Sequence, residues 1–321
     1  MGLVVNGEWR NQWYDTHSTG GEFIRQDAQY RDAIKNDGKD GFQAEANRYH
    51  LFVSLACPWA HRTLIFRKLK RLENIIGVTI VKPEMLENGW EISDEGEPSP
   101  IPGIRYLHEL YTTAEPKYNG RVTVPVLWDK KTNTIVNNES AEIIRIFNTA
   151  FDDFSDVTTD FYPQAKRAEI DKINDFVYDN INNGVYKTGF ATSQKAYEKH
   201  FHNLFNALDN LETRLSASRY LVGNDITEAD WRLFTTLIRF DAVYVGHFKT
   251  NLRRIEDYPN LSHYVRDLYQ QPGISDTVNF HHIKTHYYYS HDMINPARIV
   301  PLGPELDYNR PHNRAKLGER T

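Results

Sequence analysis

Hydrophobic spacing changes several times along the chain, and each change marks an element. Residues 50–54 alternate and are rich in bulky apolar side chains, which predicts a strand. Behind them Leu64, Ile65, Leu69 and Leu72 recur at helical intervals. Pro58 suits a first helical turn, where a missing N–H costs nothing. The spacing predicts a helix over 59–72 and a second strand over 78–81. Parallel strands joined through a helix imply a right-handed crossover. Residues 84–120 carry Trp90, are punctuated by Gly and Pro, and read as a long irregular segment, a kind usually functional or disordered. Residues 122–129 and 134–137, parted by a turn at 130–133, predict a hairpin. A further helix opens at residues 138–142 and runs through Phe147, with Asn138 as its N-cap.

From about residue 160 the pattern is helical. Residues 166–182 form one expected helix. In the next, over 194–215, Phe201, Leu204, Phe205, Leu208, Leu211 and Leu215 draw an apolar stripe. Thr227-Glu228-Ala229-Asp230 has the form of a capping box ahead of the apolar run 231–245, and a last helix is expected over 261–270. Four blocks follow: an N-terminal extension (1–46) whose Trp9, Trp13 and Tyr14 pack on the body, an α/β domain (47–150), an all-helical domain (160–295) and a surface tail (296–321).

Composition narrows the possibilities. The chain has 321 residues, 40% hydrophobic and 25% charged, an ordinary globular balance. A net charge of −5 gives no electrostatic footprint for nucleic acid or an anionic membrane. No apolar run approaches the ~18 residues of a membrane-spanning helix. The first residues lack the basic and apolar regions of a signal peptide, so a cytoplasmic location is expected. The 19 Tyr, 16 Phe and 6 Trp suit an aromatic core and flat apolar ligands.

Cys57 is the only cysteine, which excludes an internal disulfide or a dithiol motif. Any disulfide must then join a small thiol or another chain. A lone cysteine is often just a small buried hydrophobe. Here Cys57-Pro58 stands at a strand-to-helix turn, where unpaired N–H groups and the helix dipole stabilise an anion and favour the nucleophilic thiolate. His61 is assigned to packing or solvent. His281, His282, His286 and His291 include a pair at i, i+4, as zinc ligands can stand, but no carboxylate or cysteine completes a set, so no metal is expected.

The element order strand–helix–strand, strand–strand–helix resembles a thioredoxin-like α/β domain. With the all-α C-terminal domain it resembles the glutathione transferase fold. Cys57-Pro58-Trp59-Ala60-His61-Arg62, Gly89-Trp90, Arg121-Val122-Thr123-Val124-Pro125, Asn137-Asn138-Glu139-Ser140-Ala141-Glu142-Ile143, Asn183-Gly184-Val185-Tyr186 and His286-Tyr287-Tyr288 through Asn295-Pro296 are together similar to the glutathionyl-hydroquinone reductases, the xi class of those transferases.

That resemblance implies an oxidoreductase with glutathione as co-substrate and no metal. Cys57 would attack the sulfur of a glutathionyl-hydroquinone, and a second glutathione would resolve the Cys57 mixed disulfide. Trp90, Arg121, Val122, Thr123, Val124, Glu139 and Ser140 would bind glutathione. Val124, before a cis proline, would pair with its backbone. Glu139 would hold its ammonium, Ser140 its carboxylate at a helix N-terminus. Tyr186 would be the acid, with Tyr244 and Tyr287 in support. A homodimer is also implied. The same Cys57 chemistry would serve an omega-like thioltransferase or dehydroascorbate reductase, and the fold alone would serve a non-catalytic binding module.

Overall fold

The computed structural model describes residues 2–35 and 41–318. It divides into two compact units, each drawn from three stretches of sequence: Met1–Trp13, Gln26–Asp160 and Thr277–Asp292 in the first, and Tyr14–Arg25, Phe161–Asp276 and Met293–Thr321 in the second.

In the first unit β1 (Leu3–Val5), β2 (Glu8–Arg10), β3 (Ile34–Lys35) and β4 (Phe42–Gln43) precede the central β5 (Tyr49–Val53). Then come α1 (Pro58–Leu69), β6 (Gly77–Val81), β7 (Ile92–Gly96), α2 (Leu107–Ala114), β8 (Gly120–Arg121), β9 (Val126–Asp129), β10 (Thr134–Asn137) and α3 (Ser140–Thr149). The main sheet runs β10-β9-β5-β6-β7. β5 and β6 are parallel and the other pairings antiparallel. All five residues of β5 are buried, as in a strand covered on both faces, so its alternation is chemical and not a mark of exposure. The polar member, His50, is satisfied by the Thr79 hydroxyl at 2.8 Å.

α1 stops three residues before the expected Leu72. Arg71 adopts a left-handed φ of 51°, and the N–H groups of Leu72 and Arg71 return to the carbonyls of Arg67 and Lys68. This is a Schellman ending with arginine where glycine is usual, and Leu72 is its buried hydrophobe.

Residues 84–120 are not one irregular loop. They hold the edge strand β7 and α2, whose Leu107, Leu110 and Tyr111 face inward at helical spacing. The Glu109 carboxylate reaches back to accept from the Tyr106 N–H at 2.8 Å, satisfying a donor at the start of α2. The extension is tied down by pairing: β1 lies between β2 and β8, with Leu3 opposite Arg121.

In the second unit α4 (Arg167–Val177) passes through a π-helical turn, Tyr178–Asn182, into α5 (Gly184–Gly189). α6 (Gln194–Ala217) buries Leu204, Phe205, Leu208, Leu211 and Leu215, with Phe201 half-buried. α7 (Glu228–Arg239) begins at the expected capping box of Thr227 and Asp230 and continues through a π-helical turn, Phe240–Tyr244, into α8 (Val245–His247). α9 (Pro259–Tyr269) follows. The tail lies along this unit. The buried Arg314 guanidinium donates to the carbonyls of Leu215, Ser218 and Arg219, closing the C-terminal end of α6. α10 (Phe280–Ser290) belongs to the first unit, and α11 (Ala315–Gly318) ends the described chain. Among the described residues no helix is long and apolar enough to cross a membrane.

Candidate active site

Cys57 leaves the C-terminal end of β5 and caps α1. Its backbone is extended (φ −75°, ψ 123°), its N–H donates to the Ser54 carbonyl, and its own carbonyl accepts from His61. Pro58 fills the first helical position, and no acidic residue occupies the first turn. The positive end of the helix dipole therefore meets the sulfur without a carboxylate on that turn to offset it. Cys57 is partly exposed, and its Sγ lies 3.6 Å from the Val124 carbonyl oxygen. The Val124–Pro125 peptide is cis.

Thr123 and Val124 are set by Tyr111, a residue the sequence reading passed over. The Tyr111 hydroxyl donates to the Thr123 carbonyl at 2.8 Å and accepts from the Thr123 N–H at 3.3 Å and the Asn138 amide at 3.1 Å. Burial pushes this phenol upward, so it stays protonated and able to donate. Val122 is buried beside them.

The start of α3 differs from expectation. Glu139, not Asn138, is the N-cap, and its carboxylate accepts from the Ala141 N–H at 3.0 Å and the Ser140 hydroxyl at 3.4 Å. Asn138 is engaged elsewhere, its Oδ1 accepting from the Tyr30 N–H. Beneath Ser140 lies Arg62, a buried guanidinium stacked 4.6 Å over the Trp59 ring and donating to the Ser140 hydroxyl at 3.3 Å. A cation thus stands under the end of α3 where an anionic ligand group would be received.

Trp90 is buried, its ring stacked 4.7 Å from that of His286. Arg121 donates to the Gln12 and Trp13 carbonyls, so its guanidinium grips the N-terminal segment. Tyr287 lies on α10 and is 1% exposed. His61 is buried and bonded through Nε2 to the Thr277 hydroxyl at 2.8 Å, a packing role as expected.

Tyr186 and Tyr244 stand in the second unit within an aromatic box. Tyr244 stacks on Phe248 at 5.3 Å, Tyr186 meets both edgewise, and Phe190 and Phe23 complete the walls. Arg25 lies 4.9 Å over the Tyr186 ring while bonding Asn183. Phe23, Arg25, Phe190 and Phe248 carried no motif in the sequence; only their convergence on Tyr186 marks them.

The histidines of α10 diverge. His282 faces Glu95, whose carboxylate is 3.2 Å away, and His286 turns to the Pro83 carbonyl. Among the described residues no three His, Cys, Asp or Glu side chains gather as a metal would need.

Residues 56–150 match the family described as glutathione S-transferase, N-terminal domain, and residues 194–267 its C-terminal domain. The chain is 54% identical over 328 residues to glutathionyl-hydroquinone reductase YqjG of Escherichia coli (strain K12), spanning 98% of each chain. The glutathione-bound structure of YqjG matches with a TM-score of 0.90 and 50% identity, over 98% of this chain and 99% of that one. A Xi class transferase from Natrialba magadii gives a TM-score of 0.94 at 48% identity, over 99% and 98% of the two chains. The match extends over nearly the whole length of these relatives in sequence and in fold, and the chain belongs to the Xi class of glutathione transferases, the family of the glutathionyl-hydroquinone reductases.

Proposed function

We propose that the protein reduces glutathionyl-hydroquinones with glutathione, using Cys57 as its nucleophile. The observation that carries this reading is the chain's one cysteine, seated at the N-cap of α1 and 3.6 Å from the Val124 carbonyl, in a chain 54% identical to a glutathionyl-hydroquinone reductase.

The Cys57 thiolate attacks the glutathionyl sulfur. The ring carbon–sulfur bond breaks, its electron pair stays on the ring carbon, and a proton from Tyr186 completes the hydroquinone. Cys57 is left disulfide-bonded to glutathione. A second glutathione thiolate attacks the glutathione sulfur of that disulfide, forming oxidised glutathione and returning Cys57. With no second cysteine in the chain, resolution falls to the external thiol.

Glutathione lies along Thr123 and Val124. Its γ-glutamyl ammonium meets Glu139, and its carboxylate meets Ser140 over Arg62. Trp90 bounds the tripeptide, and Arg121 supports it by holding the N-terminal segment. The aromatic box around Tyr186 and Tyr244 receives the flat ring, and Tyr287 supports the sulfur. Two copies pair through the helical unit with two-fold symmetry.

Mass spectrometry after incubation with glutathionyl-menadiol tests the reading. One glutathione should appear on Cys57 as menadiol is released, and should clear as oxidised glutathione on adding glutathione. Loading from oxidised glutathione alone, without menadiol, would establish a thioltransferase instead. No loading under either condition would establish a binding module.

A further inference from the structure

We propose that His286 is a positioning residue for glutathione, acting through Trp90. The inference rests on the reading above in one respect, that Trp90 borders the tripeptide.

Topology brings the parts to one edge. β5 and β6 are parallel, so the residues after them, Cys57 and the turn at Pro83, emerge at the same end of the sheet. Trp90 closes the loop that begins at Pro83, and its carbonyl accepts from the Leu107 N–H at 2.8 Å. Between the nucleophile's helix and this loop runs α10. The turn ahead of α10 meets α1 where the Thr277 hydroxyl bonds His61. At its other end two side chains four residues apart hold the loop. His286 Nδ1 stands 3.0 Å from the Pro83 carbonyl, and Ser290 Oγ accepts from the Met85 N–H at 3.0 Å.

A carbonyl oxygen can only accept, so Nδ1 of His286 carries the hydrogen and the ring plane is set. That plane lies 28° from the Trp90 indole, with centroids 4.7 Å apart, a stacked contact. Edge contacts from Tyr287 at 5.3 Å and His291 at 5.3 Å close the remaining sides of the ring. Trp13 packs edgewise on His291 at 5.8 Å, and Arg121 grips the Trp13 carbonyl. His286 is thus the joint through which α10, the Trp90 loop and the N-terminal segment are held in register. A ring fixed on one edge by a hydrogen bond and on its face by an indole is how a supporting shell locks a binding side chain.

The test is glutathione binding by titration calorimetry on a Cys57→Ser background, where no disulfide can form. His286→Ala and Trp90→Ala should each weaken binding about 5- to 20-fold, and the double variant should be no weaker than the worse single one, because one removes the other's effect. His286→Phe, which keeps a ring without the donor, should restore part of the loss. Additive losses, or an unchanged affinity for His286→Ala, would overturn the proposal. If His286→Ala does not fold, Ser290→Ala, which removes only a hydroxyl, should show the same coupling to Trp90→Ala; its absence overturns the proposal equally. Menadiol release by the wild-type protein is followed in parallel. No release means the reductase reading has failed, whereas release without coupling means only the role of His286 has.

Discussion

The Cys57 sulfur and the Val124 carbonyl oxygen stand 3.6 Å apart, so the cysteine and the backbone opposite it share one contact. Serine can keep that contact. Cys57→Ser should fold with a melting temperature within about 3 °C of the parent, yet lose menadiol release by about 10³-fold or more. Differential scanning fluorimetry and a product assay check the two halves. Retained turnover would remove Cys57 from the reaction.

Arg121 holds the carbonyls of Gln12 and Trp13, and β8, in which it lies, pairs with β1. Arg121→Ala should cost about 1–3 kcal/mol in urea unfolding, the range for charged hydrogen bonds to backbone. The N-terminal segment should also become the first site cut in limited proteolysis. Unchanged proteolysis would mean that the segment is held by strand pairing alone.

His50 and His247 supply a pH dependence. Burial lowers both to about 4 from 6.5, so the folded state resists protonation that the unfolded chain accepts. Their contribution is complete above pH 6.5 and is lost as pH falls through 4, on the order of 3 kcal/mol each at the limit. Asp241 works in the opposite direction: burial raises it to about 6, and the stability this gives at low pH is lost as pH rises through that value. Urea midpoints should therefore fall from pH 7 to pH 4, and His50→Gln should flatten the slope. An unaltered slope in that variant would contradict the assignment.

Gly189 lets the aromatic box close. A Cβ there would stand 2.1 Å from the Phe248 ring, against which Tyr244 stacks. Gly189→Ala should destabilise by about 1–3 kcal/mol through overpacking and raise KM for the glutathionyl-hydroquinone more than that for glutathione. Steady-state kinetics with each substrate varied in turn would show the split. Equal changes in both would disconnect the box from the ring.

Much of the fold around Cys57 is legible in the amino-acid sequence alone. Local signals carried the strand, turn and helix around Cys57, and the Thr227 capping box marked the start of α7. The misreadings have physical causes. In residues 84–120, Gly and Pro spaced closely enough to suggest a loop concealed the i, i+3, i+4 pattern of Leu107, Leu110 and Tyr111, because an eight-residue helix shows barely two turns of periodicity. Asn138 has good capping chemistry, but Tyr30, 108 residues earlier, claims its side chain and leaves Glu139 to cap α3. Arg62, Tyr111 and His286 act through partners 78, 12 and 203 residues away, and no local pattern encodes such distances.

Arg314 sets an order of events in synthesis. It serves the carbonyls at the end of α6, and the residues it bonds lie 95 to 99 positions earlier. At the ribosome's pace of about 5–20 residues per second, that end of α6 is made roughly 5–20 s before its closing group. In that interval its carbonyls are answered by water, and the helix can fray and re-form. The C-terminal end of the long helix is therefore completed only when the tail has been made, although the helix itself is made well before it.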